Sequence, residues 1–548
     1  MSGRTPRSAR RGAPALLLAA LTTGVPSASL AQQTDPSLGV VEFPVSCSEA
    51  TRPAFERAVA LLHHMTYPQA QAAFREIATS DPSCAMAHWG IAITLFQPAW
   101  PTRPGPDDLR RGWDEVETAR SLGPPTERER LWVETAAAFF ENPAGTDYWA
   151  RIRRWEAALE GLHTAFPEDP EAAAFYALAH LAAAPSDAAA QAAHAERAAE
   201  LLLGVYERNP QHPGAMHYLV HANDVQGREG ESPEIVRKYD RVAPRNPHAL
   251  HMPTHIYTRL GDWEAVIDGN LRAAEAALDH PAGENGEYVW DEFPHAIEYL
   301  VYAYLQQGAD DEAAAAIARL RSTPDLQPSY KTAFHLASIP ARYALERRAW
   351  AQAAALVPRE PSTLEWDLYP WPEGIAWFAR GLGAAIEGET RKSREAIERL
   401  AALEQRTQDA GEDLFARNLR ILRLEVEAWL AYREYDHATS EARLREAVEL
   451  EISTPKHPVT PGPTLPAYEL LGDLMLAYED PEDALEAYRR SLELYPRRFN
   501  SLLGAARAAR ASGDHEAART YYQELLEVGG DGTREHVLEE ARAFLERP

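Results

Sequence analysis

The chain has 548 residues, 45% of them hydrophobic, a formal net charge of −27 and two cysteines. That length and apolar content exclude a disordered chain and require several domains or one long repeat array. The 82 acidic against 55 basic residues repel phosphate backbones and anionic lipid, which excludes nucleic-acid binding, and two cysteines cannot build a thiol zinc site.

At the N-terminus, Arg4, Arg7, Arg10 and Arg11 precede an apolar stretch over 13–25, and Ser29-Leu30-Ala31 has the small-x-small form of a cleavage site. Residues 1–31 therefore read as a cleavable export signal cut between Ala31 and Gln32, which predicts a periplasmic or secreted protein. The Arg10-Arg11 pair leaves the general secretory and twin-arginine routes both open. No later window reaches the roughly 18 uncharged apolar residues of a membrane span. Residues 32–50 form an N-terminal strap carrying Cys47. In an oxidising compartment Cys47 and Cys84 can join as a disulfide; two buried free thiols are the alternative.

Residues 51–453 are rich in Ala, Leu, Glu and Arg, with apolar residues at helical spacing and no sustained alternation. The prediction is an all-α chain of degenerate helical repeats. Residues 454–466, Thr-Pro-Lys-His-Pro-Val-Thr-Pro-Gly-Pro-Thr-Leu-Pro, form a stiff proline-rich connector. Residues 467–548 hold the most regular repeats and a capping helix. Tyr468, Leu471, Gly472, Asp480, Ala484, Tyr488 and Pro496 mark one unit, and Leu502, Ala505, Ala506, Asp514, Ala518 and Tyr522 repeat it 34 residues later (502 − 468, 522 − 488). These residues and this period resemble the tetratricopeptide repeat. The resemblance implies an α-solenoid of stacked helical hairpins with a concave ligand-facing side. Segments such as His212–Tyr218, His248–Ile256 and His457–Gly462 are similar to those of exported bacterial proteins built from these repeats. No activity attaches to that group.

The histidines carry the chemistry. His217 and His221 are four apart, as are His251 and His255, and the offsets 251 − 217 and 255 − 221 both equal the repeat period of 34. Random placement would give roughly 0.001 such repeated doublets, so chance is a poor account, although duplication of a repeat would copy both pairs without any ligand. Counted from Pro213 and Pro247, the four stand fifth and ninth in their units, places that the repeat resemblance turns towards the concave groove. Counted from Pro294, the next unit adds His295, Glu298 and Tyr302. The reading is an exported binding or scaffold protein. Its groove would hold a divalent transition metal (zinc, copper or iron) on His217, His221, His251, His255 and Glu298. His248, His295, Asp224 and Tyr302 are secondary candidates.

Two other functions fit the same residues. One is a metal-dependent hydrolytic or oxidative enzyme; the other is a module that takes an unidentified peptide or protein partner and no metal. No catalytic residue is assigned, because the chain lacks a phosphate-binding loop, a nucleophile elbow and a His-Glu-x-x-His run. Pro253, between His251 and His255, is expected to kink its helix and can send the two rings apart.

Overall fold

Helix starts are written plainly along the chain. Asp147, Asp169, Asp187, Asn246, Asp262, Asp436, Asp480 and Asp514 each accept a backbone N–H from the first turn of the helix they open. Proline occupies the first turn of several others, where its missing N–H costs nothing. In the computed structural model, which describes residues 36–546 apart from 146, 284 and 531, helices follow one another from Arg52–His63 to Glu535–Leu545. The export signal expected over 1–31 lies outside the described residues. The fold is an all-α solenoid of antiparallel helical hairpins. Strand is confined, among the described residues, to a small antiparallel ribbon, Pro281–Ala282 with Tyr288–Val289. No helix among them is long and apolar enough to cross a membrane.

The regular C-terminal repeats pack as their residues predict. A Cβ on Gly472 or Gly504 would lie 2.7 or 2.3 Å from the Tyr488 ring, so glycine at both positions lets one tyrosine fill the space between neighbouring helices. At the other end the strap lies on the first hairpins. Phe43 is buried among Phe55, Trp89 and Trp132, with ring centroids 5.0–5.5 Å apart, and Cys47 is joined to Cys84 by a disulfide.

Apolar packing forms one large cluster from Leu38 to Ile256, another from Tyr330 to Ala518, and smaller ones, one of which joins Trp263 and Tyr302 to Phe499 and Leu538. The two halves also meet directly. Arg103 forks onto Glu412 at 2.9 and 3.0 Å, Ala188 N–H reaches Ser453 O, Trp263 Nε1 donates to Arg497 O, and Arg534 pairs with Asp310. The superhelix thus turns back on itself and closes its concave side. The proline-rich segment 454–466 runs through that interior. Arg342 donates to Pro463 O, Gly462 O and Thr460 Oγ1 at 2.6–2.8 Å, and Lys456 Nζ lies 2.7 Å from Asp224 Oδ2.

Candidate functional site

Six imidazoles gather beneath this segment in two groups of three. His217 and His221, one turn apart on the helix Pro213–Asn223, meet His248; His251 and His255 meet His295. Within each trio, one ring nitrogen from each histidine lies within 4.8 Å of the other two. The Nε2 atoms of His217 and His248 are 3.0 Å apart, and those of His251 and His255 2.9 Å. The trios adjoin: the rings of His221 and His255, and of His248 and His251, have centroids 6.3 Å apart.

Pro253 does not separate the second pair. It ends one helix, Pro247–His251, and opens the next, Pro253–Leu260, across Met252. Met252 N–H still bonds His248 O, and His255 N–H reaches Met252 O at 3.1 Å. The tightened turn brings the two rings together.

The outward nitrogens decide the protonation pattern. His217 Nδ1 faces the carbonyl of His63 at 2.6 Å, and a carbonyl can only accept, so Nδ1 carries the hydrogen. His251 Nδ1 faces Asn270 Oδ1 at 2.6 Å. The amide is fixed in that sense because its Nδ2 donates to Val266 O at 2.8 Å. His255 Nδ1 donates to Asp224 at 2.8 Å, and His248 Nδ1 to Glu292 at 3.1 Å. His335 donates from Nδ1 to Glu298 and accepts on Nε2 from His295 Nδ1 at 3.0 Å. The Nε2 atoms of His217, His248, His251, His255 and His295 are therefore left as inward-facing lone pairs. His251 and His255 set two of them against each other at 2.9 Å, while His221 Nε2 and His295 Nε2 are buried without a hydrogen-bond partner.

Burial favours the neutral rings. It pushes His217, His221, His251 and His295 well below the ordinary histidine range, with neighbouring histidines adding to the effect. Burial also takes His255 down to about 4 against the pull of Asp224. The surrounding carboxyls go the other way: burial would raise them, but adjacent cations hold them ionised. Lys456 and Arg259 keep Asp224 well below the usual range, and Lys331 does the same for Glu292.

The sequence candidates divide accordingly. His217, His221, His251 and His255 all lie in the trios, joined by His248 and His295 from the secondary set. Asp224 stands behind His255. Glu298 stands outside the trios: its carboxylate is taken by His335, Ser338 at 2.6 Å and Arg342 at 2.9 Å. Tyr302 is also removed, its hydroxyl bound by Arg498 at 2.9 Å. Of the supporting groups, His335 was a weaker candidate from the sequence, while Asn270, Glu292 and Lys331 were not among the candidates. The spacing could have shown part of this, because counting from Asp291, beside the observed helix start, makes His295 fifth and Tyr299 ninth, and Tyr299 does lie against His251 and His255.

A third imidazole group shows what a self-sufficient cluster looks like. His63 Nε2 and His212 Nε2 both donate to Glu171, at 2.7 and 3.1 Å. His63 Nδ1 takes the Tyr218 hydroxyl and His212 Nδ1 takes Ala215 N–H, so every nitrogen is satisfied. The six-histidine nest differs in lacking hydrogens where its nitrogens meet.

No family model matches the chain, and no curated protein matches it. Among solved structures it is similar to the APC/C hetero-tetramer Cut9–Hcn1, with 14% identity, 90% of this chain and 89% of that one covered, and a TM-score of 0.30. It is also similar to the human IFIT1 dimer with m7Gppp-AAAA, with 14% identity, coverage of 81% and 90% and a TM-score of 0.38. The human IFIT1 dimer with PPP-AAAA gives 13% identity, coverage of 86% and 89% and a TM-score of 0.35. Such scores carry nothing about function; the solenoid is read from the helices themselves.

Proposed function

We propose that the protein is an exported metalloprotein whose helical solenoid holds a paired transition-metal centre, one ion on His217, His221 and His248 and the other on His251, His255 and His295. The observation that carries this reading is the His251–His255 contact, where two nitrogens without hydrogens face each other at 2.9 Å. A cation between them removes the repulsion. Two nitrogens bound about 2.0–2.1 Å from one ion at cis or tetrahedral angles stand about 2.9–3.4 Å apart, which matches both Nε2 pairs. The outward Nδ1–H contacts to carboxylate, amide and carbonyl oxygens are those that orient metal-binding imidazoles. A donor set of neutral imidazoles without carboxylate suits copper or zinc best, with iron next. The Cys47–Cys84 disulfide suits an oxidising compartment. A peptide-binding groove has less support, because the chain's own segment 454–466 already runs along the interior.

Elemental analysis of untagged protein reconstituted with copper or zinc and then desalted tests the reading. Wild type should retain about two ions per chain, the His251→Ala/His255→Ala and His217→Ala/His221→Ala variants about one each, and the quadruple variant none. Equal metal in wild type and quadruple variant, or none in wild type, overturns it.

A further inference from the structure

A cavity lies beside the first trio. It is walled by Trp100, Trp149 and Phe415, and His221, Lys456 and His457 border it. His221 is the one trio member that is not fully buried, and its Nε2 has no partner. The cavity therefore ends on the His221 ring, whose buried Nε2 would bind the proposed ion. Three protein nitrogens also leave a divalent ion with an open coordination position.

Charge sets the character of the incoming group. Around the trios, Asp224, Asp291, Glu292 and Glu298 are matched by Lys331, Arg259, Lys456 and Arg342 in direct ion pairs. The protein shell is thus balanced before any metal enters, and the imidazoles add no negative charge. Divalent ions in this interior require anionic ligands from outside. Lys456 spends two of its three hydrogens on Asp224 and Thr460 O, leaving one for such a ligand. His457 Nδ1 accepts Val459 N–H, so the proton of its neutral ring is on Nε2, a second donor at the cavity wall. Arg103 is committed to Glu412 and adds no free charge, but its guanidinium lies against Tyr148 and Trp149 and stiffens the aromatic wall.

We propose that this cavity delivers a small aromatic molecule with an acidic ring oxygen, of the phenol or catechol class, to the open coordination position of the ion held by His217, His221 and His248. The aromatic walls take the ring, Lys456 and His457 take the oxygens, and the oxyanion supplies the missing negative charge. The proposal rests on the metal-centre reading.

The test uses the full chain loaded with Cu(II), with metal content measured first. The probe is 4-nitrocatechol, whose visible band shifts on coordination; its dimethyl ether, 4-nitroveratrole, lacks the acidic oxygens, and azide is a small anion that needs no aromatic wall. Loaded wild type should shift the nitrocatechol band, bind azide and ignore nitroveratrole. Leu181→Trp, which fills the cavity from the helix Pro170–Ala182, should weaken nitrocatechol at least tenfold while metal content and azide binding stay unchanged. Trp149→Leu, at the half-buried rim, should weaken it by a smaller factor. A fully loaded protein that ignores nitrocatechol, or a Leu181→Trp variant with wild-type affinity, overturns this proposal and leaves the metal centre standing. A protein that takes up no metal overturns both.

Discussion

At the level of single residues, the nest and the Glu171 cluster contain the same side-chain type and differ in where hydrogens sit. Glu171 supplies an acceptor to both of its histidines, so each Nε2 there keeps its hydrogen. In the nest, acceptors stand behind the rings and force the hydrogens outward. Asn270 shows this most simply, because it is neutral and its only link to the trio is the 2.6 Å contact with His251. Asn270→Ala should therefore weaken metal binding about 10–100-fold although all six histidines remain. Competition against a chromophoric chelator measures it, and an unchanged affinity would mean that the outer contacts do not orient the rings. Tyr302→Phe is the matching control: its hydroxyl serves Arg498, and metal affinity should not move. The paired histidines were legible from spacing alone. Asn270 and Glu292 were not, since they lie 19 and 44 residues from the rings they support, and only packing brings them there.

At the level of elements, the repeat register was readable only as far as the repeats stay uniform. Two units are offset by 34, but His251 to His295 is 44 residues (295 − 251), and the ribbon over 281–289 lies in the added length. Anchoring the third unit on Pro294 consequently put Glu298 and Tyr302 at the fifth and ninth places and His295 only at the second, while the helix itself starts at Glu292. Another pair of elements stores an acid that sequence could not reveal. Glu425 on Asp413–Arg433 is buried with both carboxyl oxygens unpartnered, and burial together with Glu451 raises it well above the carboxylate range. Glu451, on His437–Ile452, is raised by burial from 4.5 to about 7, although Ala467 N–H and the Tyr495 hydroxyl oppose the rise. The folded chain thus holds the Glu451 proton over a range where the unfolded chain has released it. Stability is highest below pH 4.5 for this group and declines as pH rises to about 7, by about 3 kcal/mol at most. Glu451→Gln keeps the acceptor and removes the ionisation. It should stabilise the protein at pH 8 and make no difference at pH 4, as read from urea unfolding at the two values; equal effects at both would assign the change to packing.

For the whole molecule, the closure of the superhelix is what turns a groove into an interior, and nothing in the repeat pattern announced it. The contacts that make it join residues 118–309 positions apart, from Arg342 with Thr460 to Arg103 with Glu412. Arg498 is the most buried of these ties. It reaches Glu469 at 3.0 Å, Glu346 at 2.8 Å and the Tyr302 hydroxyl at 2.9 Å, joining four separate helical elements with no exposure of its own. Removing it leaves buried Glu346 without its cation and Glu469 with Arg348 alone, at 2.9 Å. Arg498→Met should therefore cost about 3–5 kcal/mol. Arg103→Met, at a pair that water still reaches, should cost on the order of 1 kcal/mol. The two losses also differ in kind. If Arg498 ties the middle hairpins to the C-terminal repeats, its loss should split the unfolding transition, so that far-ultraviolet circular dichroism and tryptophan fluorescence no longer give the same midpoint. A single coincident transition in Arg498→Met, with only its midpoint lowered, would show that apolar packing alone couples the two parts and that the buried ion cluster adds stability without adding cooperativity.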